Sequence, residues 1–171
     1  MRHHPLYKRI LVPFDGSAPA NRGVDEAARL AKMMGGQLRL LYVIDQAPLL
    51  KLDRKIEISI ESLRHMREGG LAILYAAASR IQNQGLSVST VLATNVTLRL
   101  ADQVLENAKD WQADLLVLGT QSRQRIPRKL LGSDADEIIR AADIPILFVR
   151  GSLECALETP KVVPMLYEEH A

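Results

Sequence analysis

Apolar positions recur along this chain with two alternating periods. Tyr7 to Phe14 is an apolar, β-branched run that stops at Asp15-Gly16-Ser17, a turn signal. From Ala20 to Met34 the period changes: Val24, Ala27, Ala28, Ala31 and Met34 lie on one helical face. Gly35-Gly36 ends that helix. Gln37 to Ile44 reads as a second buried strand, and Asp45 to Asp53 is a loop carrying Pro48. A mostly helical pattern follows from Ile56 to Gln84, with Gly69-Gly70 either breaking it or tolerated inside it, and Gly85 closing it. Leu86 to Ala93 alternates apolar and polar residues, as a half-buried or edge strand does. Thr97 is placed to cap a helix running to about Trp111. Ala113 to Gly119 is a fully apolar strand, Asp134 to Ala142 is helical behind Ser133 as a cap, and Ile144 to Val149 is the last strand.

Short apolar strands alternating with helices predict an α/β domain: an open, mostly parallel sheet of five strands with helices on both faces. Its crossovers are right-handed. In such a sheet ligands bind beyond the carboxyl ends of the strands, where the strand order reverses. Asp15 and Gly119 both fall at strand carboxyl ends.

The most informative chemistry is late in the chain. Gly119 follows a buried strand, Ser122 follows at the third position, and Gly132-Ser133 comes after nine further residues and opens a helix. Glycine lets a backbone approach a ligand closely. A helix start offers unpaired N–H groups and a partial positive charge, which suits phosphate.

This spacing resembles the phosphate-binding motif of the universal stress protein family, G-x2-G-x9-G-[ST]. Gly119, Gly132 and Ser133 match, and Ser122 replaces the second glycine. Ile10-Leu11-Val12-Pro13-Phe14-Asp15-Gly16-Ser17 resembles the family's first strand and turn. Leu38 to Asp45 and Pro145 to Arg150 resemble two further strands, so the likeness covers roughly residues 6 to 150. The resemblance implies a Rossmann-like fold of strand order 3-2-1-4-5, with residues 1–150 as the nucleotide-binding domain; residues 151–171, with Pro160, Pro164 and an acidic end, read as an extended C-terminal arm. It implies an adenine nucleotide, ATP or AMP/ADP, carried with magnesium. It assigns the adenosine part to Asp15, adenine to the backbone of Val43, and the phosphates to Gly119, Ser122, Gly132 and Ser133. Pro13 and Arg123 complete the implied set. It also implies a homodimer paired through the last strand, Ile144 to Arg150, and a sensor or regulator of the stress response, with slow ATP hydrolysis as an allowed activity.

Each of these residues also has a plainer use. Asp15 suits an Asx-turn or a helix cap, Gly119 a strand end, Val43 a buried strand, Ser122 a loop and Ser133 a cap. Ser122 adds a penalty of about 1 kcal/mol if its position needs positive φ. Asp134 opposes a phosphate: at ~5 Å and an effective dielectric near 20 the repulsion is ~3 kcal/mol. Asp136 and Glu137 add to it, whereas Arg123, Arg125, Arg128 and Lys129 either neutralise phosphates or dock on this acidic helix start. Asp134 is also a candidate member of a magnesium shell. These departures keep open a second reading, a protein of the same fold that acts through protein–protein contacts without nucleotide.

Composition narrows the field. The 171 residues fit one domain, 47% hydrophobic and 25% charged. Twenty-two basic against 20 acidic residues, net +2, give no reason to expect nucleic-acid or anionic-membrane binding, and count against a nucleic-acid role for the Arg123–Lys129 loop. No apolar stretch reaches the ~18 residues that span a bilayer. Met1 to Arg9 is basic without a following apolar region, and Cys155 is the only cysteine, so a cytoplasmic protein is expected. No nucleophile elbow, Walker A, Cys-x-x-Cys or His-Glu-x-x-His is present, so no committed enzyme is expected. His3-His4 reads as a chain end rather than a metal site, His65 as a surface residue, and Trp111 as packing on the sheet edge.

Overall fold

The computed structural model describes residues 7–45, 60–95, 99–120 and 133–150. Strand β1 (Arg9–Pro13) leads into helix α1 (Ala18–Met34) and strand β2 (Gln37–Asp45). Helix α2 (Ile60–Gln82), strand β3 (Val88–Asn95) and helix α3 (Leu100–Asp110) follow. Strand β4 (Leu115–Thr120), helix α4 (Ser133–Ala141) and strand β5 (Ile146–Arg150) complete the order. The five strands form one sheet, β3-β2-β1-β4-β5, and every pair is parallel.

Local chemistry sets the element ends. Ser17 is extended at φ −65°, ψ 159°, and its hydroxyl accepts from the Ala20 N–H at 3.3 Å, so α1 starts two residues before the periodicity suggests. Gly35 takes the left-handed conformation at φ 61° and its N–H returns to the Ala31 carbonyl, as the sequence predicts. The glycine pair at 69 and 70 does not interrupt α2. Gly70 is buried there, and a Cβ on it would lie 2.9 Å from Leu92 Cδ1 and 3.1 Å from the Tyr42 ring, so the gap lets α2 approach β2 and β3.

Three expectations are corrected. Helix α3 begins at Leu100, with Arg99 as the flanking residue, whose N–H bonds Asp102 Oδ2 at 3.3 Å; Thr97 lies outside the described residues. Ser133 is the first helical residue of α4 and not the cap before it. Trp111 does not sit on the sheet edge. Its ring lies 4.5 Å from the Arg39 guanidinium on β2, an inner strand, because the crossover through α3 brings the chain back from the β3 edge toward the centre. Arg39 also donates to Ser89 Oγ at 3.2 Å, and partial burial lowers its pKa from the usual guanidinium value.

The pleat sends alternate residues to two cores. Ile10, Val12, Leu38, Leu40, Leu115 and Val117 pack under α1 and α2, with Val24, Ala27, Leu74 and Ile81. Leu11, Leu41, Leu116 and Leu118 pack under α3 and α4, with Val104, Ala108 and Ile138. β5 takes the edge, half-buried from Ile146 to Val149. No helix of the described residues is long and apolar enough to cross a membrane.

Leu116 is fully buried in the second core. Leu116→Ala should lower unfolding free energy by about 2–5 kcal/mol in urea denaturation. Met33→Ala, at a side chain 80% exposed, should change it by less than about 0.5 kcal/mol.

Candidate functional site

The central feature is an early parting of two strands. β1 pairs with β2 along its full length, from Arg9–Gln37 to Pro13–Leu41. It pairs with β4 only at Ile10–Leu115 and Leu11–Leu116. Backbone groups alternate sides along a strand. The Phe14 N–H bonds the Leu41 carbonyl at 2.8 Å, so even-numbered β1 residues address β2. Odd-numbered residues address β4, as the Arg9 carbonyl does in accepting from the Asp114 N–H at 2.9 Å. The next rung toward β4 would need an N–H from Pro13, which has none. The β1–β4 ladder therefore ends below the carboxyl edge, at the point where the strand order reverses and where ligands of such sheets bind.

The same alternation orients Val43. Leu38 N–H bonds Ser87 on the β3 side and Gln37 N–H bonds Lys8 on the β1 side, so even β2 residues address β3 and odd ones address β1. The N–H and C=O of Val43 thus point toward β1 beyond Pro13–Leu41, the last pair of that ladder. Its half-buried side chain packs in the second core. Pro13 is half-buried at the end of β1.

Asp15 follows immediately and is exposed. One carboxylate oxygen accepts from the Ser17 N–H at 2.9 Å, the Asx-turn that the sequence allows. Its other oxygen has no partner among the described residues. Gly119 lies at the end of β4 against the start of α1. A Cβ on it would fall 1.9 Å from the Pro19 carbonyl oxygen, and a Cβ on Gly23 would fall 3.1 Å from the Gly119 nitrogen. The absence of a side chain at 119 is thus required by helix packing alone. Gly23, which the sequence reading passed over, is the other half of that contact; its signal was a glycine inside a helical run.

Helices α1 and α4 follow β1 and β4 and run back along the sheet, so both begin at this carboxyl edge and direct N–H groups and positive dipole ends there. Ser122, Arg123 and Gly132 lie outside the described residues, as do Arg125, Arg128 and Lys129; Ser133 is placed by its backbone only, and the same holds for Asp134. The structure therefore brings Pro13, Asp15, Val43 and Gly119 to one edge, with Ser133 starting the helix beyond it. Glu137 is neutralised by Arg99, whose Nη1 lies 2.6 Å from its carboxylate, a long-range pair that sequence spacing does not reveal. His65 is exposed beside Glu61, 3.4 Å away. Among the described residues no group of three His, Cys, Asp or Glu could hold a metal ion.

A model of the universal stress protein family matches residues 6–150. Among curated relatives, universal stress protein MJ0531 of Methanocaldococcus jannaschii is 30% identical, over 85% of this chain and 83% of its own. Universal stress protein YxiE of Bacillus subtilis is 26% identical, over 85% and 100%. Among solved structures, the protein MJ0577 superposes with a TM-score of 0.71 at 20% identity, covering 86% of this chain and 99% of its own. A universal stress protein in complex with cAMP gives 0.60 at 23% identity, over 85% and 98%. The universal stress protein from Archaeoglobus fulgidus in complex with dAMP gives 0.58 at 21% identity, over 84% and 98%.

If Gly119 serves packing, its replacement must destabilise the protein without any ligand. Gly119→Ala should lower unfolding free energy by about 1–3 kcal/mol in nucleotide-free urea titrations, as overpacking does. An unchanged midpoint would contradict the contact with Pro19.

Proposed function

Because this chain belongs to the universal stress protein family, we propose that it binds an adenine nucleotide, ATP or AMP/ADP, in the crevice between β1 and β4 and serves as a homodimeric stress-response module of the cytoplasm. The observation that carries this reading is the parting of β1 from β4 after Leu11–Leu116, which leaves main-chain groups at the carboxyl edge without a strand to pair with. In this reading the backbone of Val43 takes the adenine edge, as a neighbouring strand would. The second carboxylate oxygen of Asp15 accepts from the sugar or the exocyclic amine. The phosphates lie toward Gly119 and the start of α4, with Ser122, Arg123, Gly132 and Ser133 around them. The cAMP and dAMP complexes of relatives that share the fold support an adenine nucleotide as the ligand class. Magnesium would arrive on the phosphates, which with water supply the oxygen ligands it prefers. β5 is the last strand of the sheet and, in this reading, pairs with the β5 of a second copy.

A second reading has its own support. Asp15 is already held by Ser17, and Gly119 is already required by Pro19, so neither position needs a ligand. The same fold would then act through protein contacts alone.

Thermal denaturation separates the two. At a free MgATP concentration of about 100 Kd, mass action adds about 2.7 kcal/mol of stability. That should raise Tm by roughly 5–10 °C for a domain of this size. Asp15→Ala should remove most of the rise. No rise at millimolar MgATP or AMP would favour the second reading. Light scattering after size exclusion should give twice the chain mass at micromolar concentration, and a single-chain mass would remove the dimer.

A further inference from the structure

We propose that Asn21 and Arg80 are positioning residues that hold the β1–α1 turn so that it presents Asp15 in one orientation. The inference rests on Asp15 belonging to the nucleotide site.

A side-chain amide from the first turns of α1 reaches back to the two carbonyls of this turn. Asn21 Nδ2 donates to the Gly16 carbonyl at 2.9 Å and to the Ser17 carbonyl at 3.0 Å. Its Oδ1 accepts from Arg80 Nη2 at 3.2 Å. Both N–H groups and the carbonyl of the amide are therefore used. Arg80 in turn pairs through Nη1 with Asp25, one helical turn beyond Asn21 on α1. This arrangement has a direction. A flipped Asn21 would aim its oxygen at two carbonyl oxygens, and the guanidinium, which only donates, selects the orientation that holds the turn.

The same helix touches the turn at a second point. Ile73 lies two turns before Arg80 on α2, and its Cγ2 would sit 3.0 Å from a Cβ on Gly16. Gly16 itself is at φ 81°, a conformation that resists a side chain. Between these contacts a cleft of about 410 Å³ stays open, lined by Asp15, Asn21, Ile73 and Arg80 among others. The Asn21 amide is the side chain that links this turn to α2 through Arg80, beside the main-chain bond from the Asn21 N–H to the Ser17 carbonyl at 2.9 Å. The turn includes Ser17, whose N–H holds the Asp15 carboxylate, so a loosened turn releases that carboxylate too. The sequence gives no sign of this relay, because its members are joined only by the packing of α2 on α1.

The test uses the full chain, with adenosine, MgATP and inorganic tripolyphosphate as probes in calorimetric titrations. Asn21→Ala should weaken adenosine and MgATP by the same factor, about five- to tenfold, the worth of one or two hydrogen bonds. Tripolyphosphate should bind as before. Asn21→Ala combined with Asp15→Ala should be no weaker than Asp15→Ala alone, since the amide acts only through that carboxylate. Arg80→Ala should shift adenosine in the same direction and by less. Full additivity of the two losses, or wild-type affinity in Asn21→Ala, would overturn the proposal. If the wild-type chain binds neither adenosine nor MgATP, the nucleotide reading fails and the relay is decided on the free protein. Exchange of the Ser17 amide should then be faster in Asn21→Ala by about the same factor, with Leu116 and Val117 unchanged as controls for the fold. Equal Ser17 exchange would overturn it.

Discussion

A proline at the last position of a central strand has no N–H to give, and in this sheet that ends the pairing of β1 with β4 beyond Leu116. The consequences spread from that missing donor. A central parallel strand would otherwise be bonded on both sides along its length, leaving no main-chain group for anything but its neighbours. Here β1 stays bonded to β2 up to Leu41 and releases β4 early. The parting of the two strands is thus a property of the backbone ladder and of the proline that ends it. The buried rows on either side, Val12 and Val117 under α1 and Leu11 and Leu116 under α3 and α4, keep the two strands fixed below the point where they part.

Close helix packing is the second constraint. α1 starts within contact distance of β4 because Gly119 and Gly23 carry no side chains. That contact brings the Asp15 turn and the end of β4 to the same edge although they are far apart in sequence. A glycine that reads as phosphate-binding in the sequence thus has a packing role that requires no ligand.

Most of the fold was legible because burial on both faces writes itself as apolar runs and alternating periods. The strands at Leu38–Ile44 and Leu115–Leu118, the stop at Gly35 and the edge character of the strand after Gly85 follow from composition and spacing. Gly69-Gly70 was ambiguous because its reason, the approach of Leu92 and Tyr42, lies on other elements. The start of α3 at Leu100 and the place of Trp111 over Arg39 were missed for the same cause: a crossover decides them. Of the candidate site, Asp15 was readable both as an Asx-turn and as a ligand group, and the turn is present. The backbone of Val43 could be oriented only once the ladder was known. The neutralising pair of Arg99 with Glu137 and the tether of Asn21 to Arg80 join distant segments and leave no mark on local sequence.

The central claim is that main-chain groups freed where β1 and β4 part receive a nucleotide. A crystal structure of this chain grown with MgATP tests it most directly. The account predicts an adenine ring bonded to the N–H and C=O of Val43, with the phosphates on the α4 side of Gly119. Crystals soaked at saturating nucleotide that show this crevice filled by the protein's own side chains, or the nucleotide seated elsewhere, would contradict it.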